Sequence, residues 1–305
     1  MNRSSQLVFL LVLLFAGILV LLSVTGGTGT NPVDQTLATE VIFRSQVSEV
    51  PAEPEIGAHA FLVKVMGREP ALLKRRDWKP LPPASLTKLL TAVVVKEYLS
   101  DDQVVTISKT AKTVGEKVSR AKDGERFRLE ATLTLALSSS ANDATMALAE
   151  EVGKRLGGIT PAEQLELFLQ TMNIKTKALG MDDSRFANPT GLDTEDHRSS
   201  ARDLARLAEY IWRAHRDLWE LTRQTELEVI SLAGVAHTAV NTNDLLKEFP
   251  AILGGKTGFT DEAKGTLILL YPLKTGEIAV IVVLGSEDRF GDGRKIIQWL
   301  ESVPN

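Results

Sequence analysis

Two adjacent prolines, Pro82 and Pro83, run into Ala84-Ser85-Leu86-Thr87-Lys88-Leu89-Leu90-Thr91-Ala92-Val93-Val94-Val95, and this stretch admits few structures. The prolines end whatever element precedes them, and the Leu-, Ala- and Val-rich run that follows reads as a helix buried over most of its surface. Such a helix has to be central, with other elements packed around it. Yet it opens on a polar pair, Ser85 and Lys88, whose i, i+3 spacing puts both side chains on one face. One explanation is a nucleophilic serine with a lysine as its base. The other is a serine N-cap followed by a solvated lysine. The pattern does not decide by itself, because Ser-x-x-Lys recurs at Ser119-Arg120-Ala121-Lys122, inside the polar stretch 117–128.

The rest of the chain bounds the chemistry. At 305 residues, 44% hydrophobic and 24% charged, it has ordinary globular composition and room for one large or two small domains. A formal charge of −4 and no dense Lys/Arg cluster with interleaved aromatics argue against nucleic acid as a partner. With no cysteine there is no disulfide, thiolate zinc site or cysteine nucleophile, and the four histidines show no metal-ligand spacing, so no metal or other cofactor is expected.

Export is indicated at the N-terminus. Arg3 precedes residues 7–24, which carry no charge, a length at the lower edge of a membrane span and long for the apolar part of a cleaved signal. Residues 1–27 are therefore expected to be a signal-anchor or a signal peptide. Residues 28–54 lack periodicity and read as a linker, and 55–305 are expected to form the folded domain. Either reading of the leader puts that domain outside the cytoplasm: on the outer face of the cytoplasmic membrane if anchored, secreted if cleaved.

Within the domain, residues 58–65 read as a strand, 66–70 as a turn and 71–74 as the returning partner. Residues 104–130 form a loop-rich excursion. Residues 129–137 and 144–156 read as two apolar helices broken by Ser138-Ser139-Ser140-Ala141-Asn142-Asp143, which places polar groups where a core should continue or is a plain turn with Asn142 or Asp143 as N-cap. Thr160-Pro161-Ala162-Glu163 is a capping box opening a helix to about residue 178, which Gly180 ends. Residues 200–203 cap another helix, expected to reach about residue 221. Strands at 266–271 and 278–284 flank a turn at Lys274-Thr275-Gly276, and a helix over 293–303 covers the sheet. The earlier Lys256-Thr257-Gly258 differs from the copy at the hairpin tip. Glycines on both sides let another backbone approach, and a cation followed by a hydroxyl suits a terminal carboxylate.

Taken jointly, Ser85-Leu86-Thr87-Lys88, Ser140-Ala141-Asn142 and Lys256-Thr257-Gly258 have the order and wide spacing of the penicillin-binding and serine β-lactamase superfamily. Their surroundings narrow the resemblance: Pro83-Ala84-Ser85, Asn142-Asp143-Ala144, Phe186-Ala187-Asn188-Pro189-Thr190-Gly191-Leu192-Asp193, His197 with Ser200-Ala201-Arg202-Asp203, and Gly255-Lys256-Thr257-Gly258-Phe259-Thr260. Residues 56–300 resemble the D-alanyl-D-alanine carboxypeptidase family, the low-molecular-mass penicillin-binding proteins. The resemblance implies a mixed α+β fold of the β-lactamase/DD-peptidase type: an antiparallel sheet of N- and C-terminal strands flanked by helices, with a helical region inserted. Many family members continue into a C-terminal β-rich domain and an amphipathic membrane helix, and here the N-terminal apolar run is expected to replace that anchor. Ala141 stands where glycine is common, a change expected to be tolerated.

The resemblance also implies roles. Ser85 attacks the carbonyl of a terminal D-Ala-D-Ala bond in a peptidoglycan stem peptide, releasing D-alanine and leaving an acyl-enzyme that water hydrolyses. Lys88 is the base, and for that it must be neutral. A free lysine titrates near ~10.4, and burial, the positive end of the helix and the second cation Lys256 all favour the neutral form. Ser140 relays the proton to the leaving amine, Asn142 holds the substrate amide, and Lys256 and Thr257 bind the C-terminal carboxylate. The N–H groups of Ser85 and Phe259 bind the oxyanion, and Gly258 keeps the strand open to an extended peptide. β-Lactams are expected to acylate Ser85.

Three rival activities remain. A peptidoglycan endopeptidase would use the same residues. A wall-binding protein without activity would be expected to have lost Ser85 or Lys88. A β-lactamase of the familiar class would carry Glu-x-x-Leu-Asn between the second and third motifs, and Glu163 and Glu166 lack that context.

Overall fold

A five-stranded antiparallel sheet carries the molecule, in the order β2-β1-β9-β8-β7. The computed structural model describes residues 51–115 and 118–303. The leader expected at 1–27 and nearly all of the 28–54 linker lie outside the described residues. Among those described, no helix is long and apolar enough to cross a membrane. In chain order the elements are β1 (Ala60–Val65), β2 (Leu73–Arg75), α1 (Thr87–Tyr98), β3 (Val104–Thr106), β4 (Arg126–Arg128), α2 (Leu129–Leu137), α3 (Asn142–Arg155), α4 (Pro161–Ala178), α5 (Ala201–Ala214), α6 (Asp217–Glu220), β5 (Glu226–Ile230), β6 (Ala236–Val240), β7 (Gly254–Thr260), β8 (Lys264–Pro272), β9 (Ile278–Ser286) and α7 (Arg289–Ser302).

The central strands are apolar on both faces, as a sheet covered on both sides requires. On one face Ala60, Leu62, Ile268, Leu270, Val280 and Val282 join a core with α1, α2, α3 and α5. On the other, Phe61, Val63, Leu267, Leu269, Ile281 and Val283 pack against Ile296, Ile297 and Leu300 of α7. The larger core surrounds α1, whose residues Thr87 to Val95 are all buried. This is the mixed α+β architecture expected, with the helical region α1–α6 inserted between β2 and β7.

Local signals explain most element ends. Both halves of the capping box form: the Thr160 side chain accepts from the Glu163 N–H and the Glu163 carboxylate accepts from the Thr160 N–H, so α4 starts where expected. Gly180 then takes φ +66°. Ser200 caps α5 by accepting from the Asp203 N–H, but the helix stops at Ala214 rather than near 221, because His215 leaves helical geometry at φ −143°, ψ 50°. A separate short helix, α6, follows. The excursion over 104–130 contains a two-stranded ribbon, β3 with β4. The hairpin β5–β6 was not expected.

Candidate active site

The Ser85-Leu86-Thr87-Lys88 motif straddles a tight entry into α1. Ala84–Leu86 form a 3-10 turn with Pro83 as N-cap, and Ala84 adopts φ +48°, a left-handed conformation uncommon for a residue with a Cβ. Neighbours hold it there. Gly191, itself at φ +90°, lies so close that a Cβ on it would sit 1.9 Å from the Ala84 oxygen, and a Cβ on Gly258 would sit 2.8 Å from the Ser85 nitrogen. The Thr87 hydroxyl donates to the Ala84 carbonyl at 2.8 Å, and the Thr266 hydroxyl donates to the Pro83 carbonyl at 3.1 Å. Strain of this kind persists only where the surroundings over-determine it.

Lys88 is the second residue of α1 and is itself buried. Its Nζ donates to Ser85 Oγ at 2.9 Å, to Asn142 Oδ1 at 2.8 Å and to the Thr190 carbonyl at 2.6 Å. The expected Ser85–Lys88 pair therefore forms, and Asn142 joins it from the first turn of α3. Between α2 and α3 the chain reverses through Ser140, at φ +59°. The following residue, Ala141, has φ −67° and ψ 121°, extended geometry open to any residue, so glycine is not needed there. Ser140 Oγ accepts from Lys256 Nζ at 2.9 Å, which brings the second and third motifs together.

Strand β7 forms one edge of the sheet. It pairs Lys256 with Ile268 and Gly258 with Thr266 of β8, leaving its other edge beside the Ser85 turn. Thr257 is buried, its hydroxyl 2.6 Å from that of Thr242, while the Thr242 N–H donates to the Ser138 carbonyl. Phe259 is 47% exposed and lines, with Ser85, Asn142, Thr190, Asp193 and Thr260, a cavity of about 450 Å³. A larger groove, about 1050 Å³ between α4 and residues 184–198, is lined by Phe186 and Ala187 but by no residue of the Ser85–Lys88, Ser140–Asn142 or Lys256–Gly258 motifs.

Several supports of the site were not legible as such. Asn188 Oδ1 accepts from the Thr190, Gly191 and Leu192 N–H groups, folding the loop that delivers both the Thr190 carbonyl and Gly191. The only signal was Asn-Pro-Thr-Gly turn chemistry. His197 accepts from the Ala187 N–H at Nδ1 (3.0 Å) and lies 2.8 Å from Thr87 Oγ1 at Nε2. With Nδ1 accepting and the Thr87 proton directed to Ala84, Nε2 carries the ring proton. Burial lowers the His197 pKa to about 4, with Asp193 opposing and Lys88 adding to the shift, so the ring is neutral at neutral pH. Thr242 had no signal at all. Arg289, whose guanidinium lies 5.9 Å from the Phe259 ring centroid and which burial holds below its ordinary pKa, precedes the region expected to be helical.

The decoys separate. The Ser119 N–H and hydroxyl both donate to Asp143 while Lys122 is exposed. Lys274 lies in the β8–β9 turn and donates to the Glu301 carbonyl. Glu163 serves the capping box, and Glu166 accepts from Gln170 on the exposed side of α4. The other histidines lie elsewhere: His59 contacts Arg76 and Lys79, His215 ends α5, and His237 bonds Glu125.

Comparison with known proteins agrees with this geometry. Residues 48–288 match the family model for D-alanyl-D-alanine carboxypeptidase. A D-alanyl-D-alanine carboxypeptidase of Bacillus subtilis is 32% identical over 221 residues, covering 70% of this chain and 54% of that protein. A D-alanyl-D-alanine endopeptidase of Pseudomonas aeruginosa is 31% identical over 261 residues, 83% of this chain and 80% of that protein. The chain thus spans about half the length of the Bacillus relative. Among solved structures, the Streptomyces K15 DD-transpeptidase superposes with a TM-score of 0.75 at 25% identity, over 83% of this chain and 100% of that one.

Proposed function

The chain belongs to the D-alanyl-D-alanine carboxypeptidase family, and on that premise we propose that it is a serine-type carboxypeptidase that removes the terminal D-alanine from peptidoglycan stem peptides. The observation carrying this reading is the 2.9 Å contact between Lys88 Nζ and Ser85 Oγ, made where the Ser85 amide faces Gly258 of an edge strand.

Each step follows from an atom in the cleft. An extended peptide lies along β7 as an added strand, its C-terminal carboxylate toward Lys256 and Thr257 and its amide toward Asn142. For the attack Lys88 must be neutral, so that Nζ accepts from the Ser85 hydroxyl instead of donating to it; Ser85 Oγ then attacks the penultimate D-Ala carbonyl and gives its proton to Lys88. The carbonyl oxygen, now negative, accepts from the Ser85 and Phe259 N–H groups, each such donor being worth about 3 kcal/mol. Ser140, in contact with Lys256, passes its proton to the departing D-alanine nitrogen as the C–N bond breaks and is reprotonated from Lys88, which is neutral again. Water then attacks the Ser85 ester, giving its proton to Lys88, which returns it to Ser85 Oγ as the shortened peptide leaves. β-Lactams acylate the same oxygen.

The same residues suit cleavage of D-Ala cross-links, and the name of the Pseudomonas relative favours keeping that as the second reading. We place the domain, taken as residues 55–305, outside the cytoplasm, with residues 7–24 as anchor or signal on the strength of their uncharged sequence.

The test is D-alanine release from a diacyl-L-Lys-D-Ala-D-Ala peptide, with Ser85→Ala as control. Release that the substitution abolishes supports the proposal. A folded protein that releases none, yet cleaves cross-linked dimers, would transfer the activity to the second reading.

A further inference from the structure

Strand β2, at the sheet edge opposite β7, carries a surface that the active site does not use. Residues 72–79 read Leu-Leu-Lys-Arg-Arg-Asp-Trp-Lys. Leu73 points into the core, whereas Lys74, Arg75 and Arg76 are exposed. Two apolar side chains stand among them in solvent, Trp78 at 57% and Leu72 at 41% exposure. The basic groups extend onto the neighbouring chain entry: Arg76 Nη1 and Lys79 Nζ lie 3.3 and 3.1 Å from His59 Nε2. None of Lys74, Arg75, Arg76 and Lys79 forms an ion pair among the described residues. The one acid in the run, Asp77, acts on Arg202.

A charged edge strand has a simpler use, since lysines and arginines there discourage edge-to-edge pairing of sheets. That use accounts for Lys74 and Arg75. It does not account for an exposed tryptophan beside an exposed leucine, which would themselves promote association. Cations that remain unpaired in a chain of net charge −4, set around an amphipathic ring, complement a surface with dense negative charge over an apolar interior.

We propose that this face, formed by Leu72, Lys74, Arg76, Trp78 and Lys79, rests on the anionic phospholipid surface of a membrane. The position of the chain entry supports that partner over others. Arg75 donates to the Ile56 and Ala58 carbonyls, strapping the start of the domain beside the patch. Residues 7–24, the uncharged apolar run, precede that start in sequence. Contact through β2 would turn the opposite sheet edge, β7 and its cleft, away from the lipid and toward the wall polymer. The inference goes beyond the proposed activity and does not depend on it.

The test uses the full chain, which has no native cysteine, with Leu72→Cys carrying an environment-sensitive fluorophore. It is mixed with vesicles of phosphatidylcholine alone or with phosphatidylglycerol, each containing a lipid-borne quencher. Because the readout is proximity at position 72, insertion of the N-terminal run cannot imitate it. Quenching is expected with phosphatidylglycerol and not with phosphatidylcholine, weakening as salt shortens the Debye length. Each cation removed should cost about fivefold in the contact equilibrium, so Lys74→Glu/Arg76→Glu/Lys79→Glu should abolish it. Arg75 is left in place because it holds residues 56–58. Trp78→Ala should weaken quenching and leave its lipid selectivity intact. A fluorophore at Ile159, exposed on the loop before α4, should stay unquenched. Acylation of Ser85 by a fluorescent penicillin, or thermal unfolding if the protein takes none, checks that the variants are folded. Equal quenching by both lipids, none by either, quenching that survives the triple reversal, or a response to a soluble polyanion but not to vesicles would each overturn the proposal.

Discussion

Acidification should loosen the Ser85 turn through a buried residue that does not line the cleft. His197 is buried, accepts from the Ala187 N–H and contacts Thr87, which holds the Ala84 carbonyl. Its pKa falls from 6.5 to about 4 in the folded protein. An unfolded chain therefore takes up this proton near pH ~6.5, while the folded one resists until about pH 4. Over that window the unfolded state binds more protons, so stability is full above ~6.5 and is lost as pH falls. At about 1.4 kcal/mol per pKa unit, the loss attributable to His197 totals about 3 kcal/mol. Other groups titrate too, including Glu150 and Asp203, whose pKa values burial raises. A difference measurement removes them. Urea unfolding of the wild type and of His197→Gln should be followed from about pH 7.5 to pH 4. The difference between the two free energies should be constant above ~6.5 and shrink by about 3 kcal/mol below it. Penicillin acylation of the folded wild type should hold until about pH 4 and decline there, because only then does the ring take up the proton that stops it accepting from Ala187. A free-energy difference that does not change with pH would refute the reasoning.

Three further substitutions probe the same architecture. Gly191→Ala places a methyl 1.9 Å from the Ala84 oxygen at φ +90°. Backbone strain alone costs about 1–2 kcal/mol and the clash adds more, so thermal unfolding should drop and acylation should fall more than stability does. Gly258→Ala brings a methyl 2.8 Å from the Ser85 nitrogen; under the proposed function, in which that N–H binds the oxyanion, stopped-flow acylation should slow by roughly 10²-fold or more, with the secondary structure retained by circular dichroism. Asp143→Ala removes a fully buried carboxylate that pairs with Lys112 at 3.1 Å and accepts from Ser119. Urea unfolding should show a loss of about 3 kcal/mol, and a change below ~0.5 kcal/mol would mean that the contact is dispensable.

What the sequence disclosed and what it withheld divide along physical lines. Side-chain chemistry at short spacing was readable in the Thr160–Glu163 box, Gly180 and the Lys274-Thr275-Gly276 turn, and it put Ser85 and Lys88 on one face without deciding between a paired lysine and a solvated one. Ser140, Asn142 and Lys256 could be placed only through a family resemblance, because the contacts that unite them span more than a hundred residues of chain between Ser140 and Lys256. Backbone contributions stayed hidden. No pattern announces that the Thr190 carbonyl accepts from Lys88, or that Ala84 and Ser140, both with a Cβ, take left-handed geometry. The end of α5 was missed because residues 215–221 remain apolar enough to continue a helix and are instead buried as a separate turn, with Leu218 and Trp219 inside. The β5–β6 hairpin was missed because both strands are largely exposed, so their alternation lacks a strong buried face.

The left-handed turn at Ala84 bears on how the protein can be monitored. Its conformation is imposed by Gly191, Gly258 and, through Thr87, by His197, groups drawn from two remote parts of the chain, the loop over 191–197 and the strand at 258. A partly folded molecule has no means of presenting Ser85 in this way, even with α1 formed. Under the proposed function, covalent labelling by a fluorescent β-lactam therefore counts only molecules whose long-range assembly is complete. Refolding yield, proteolytic damage and mutational injury far from the cleft would all register in one gel band.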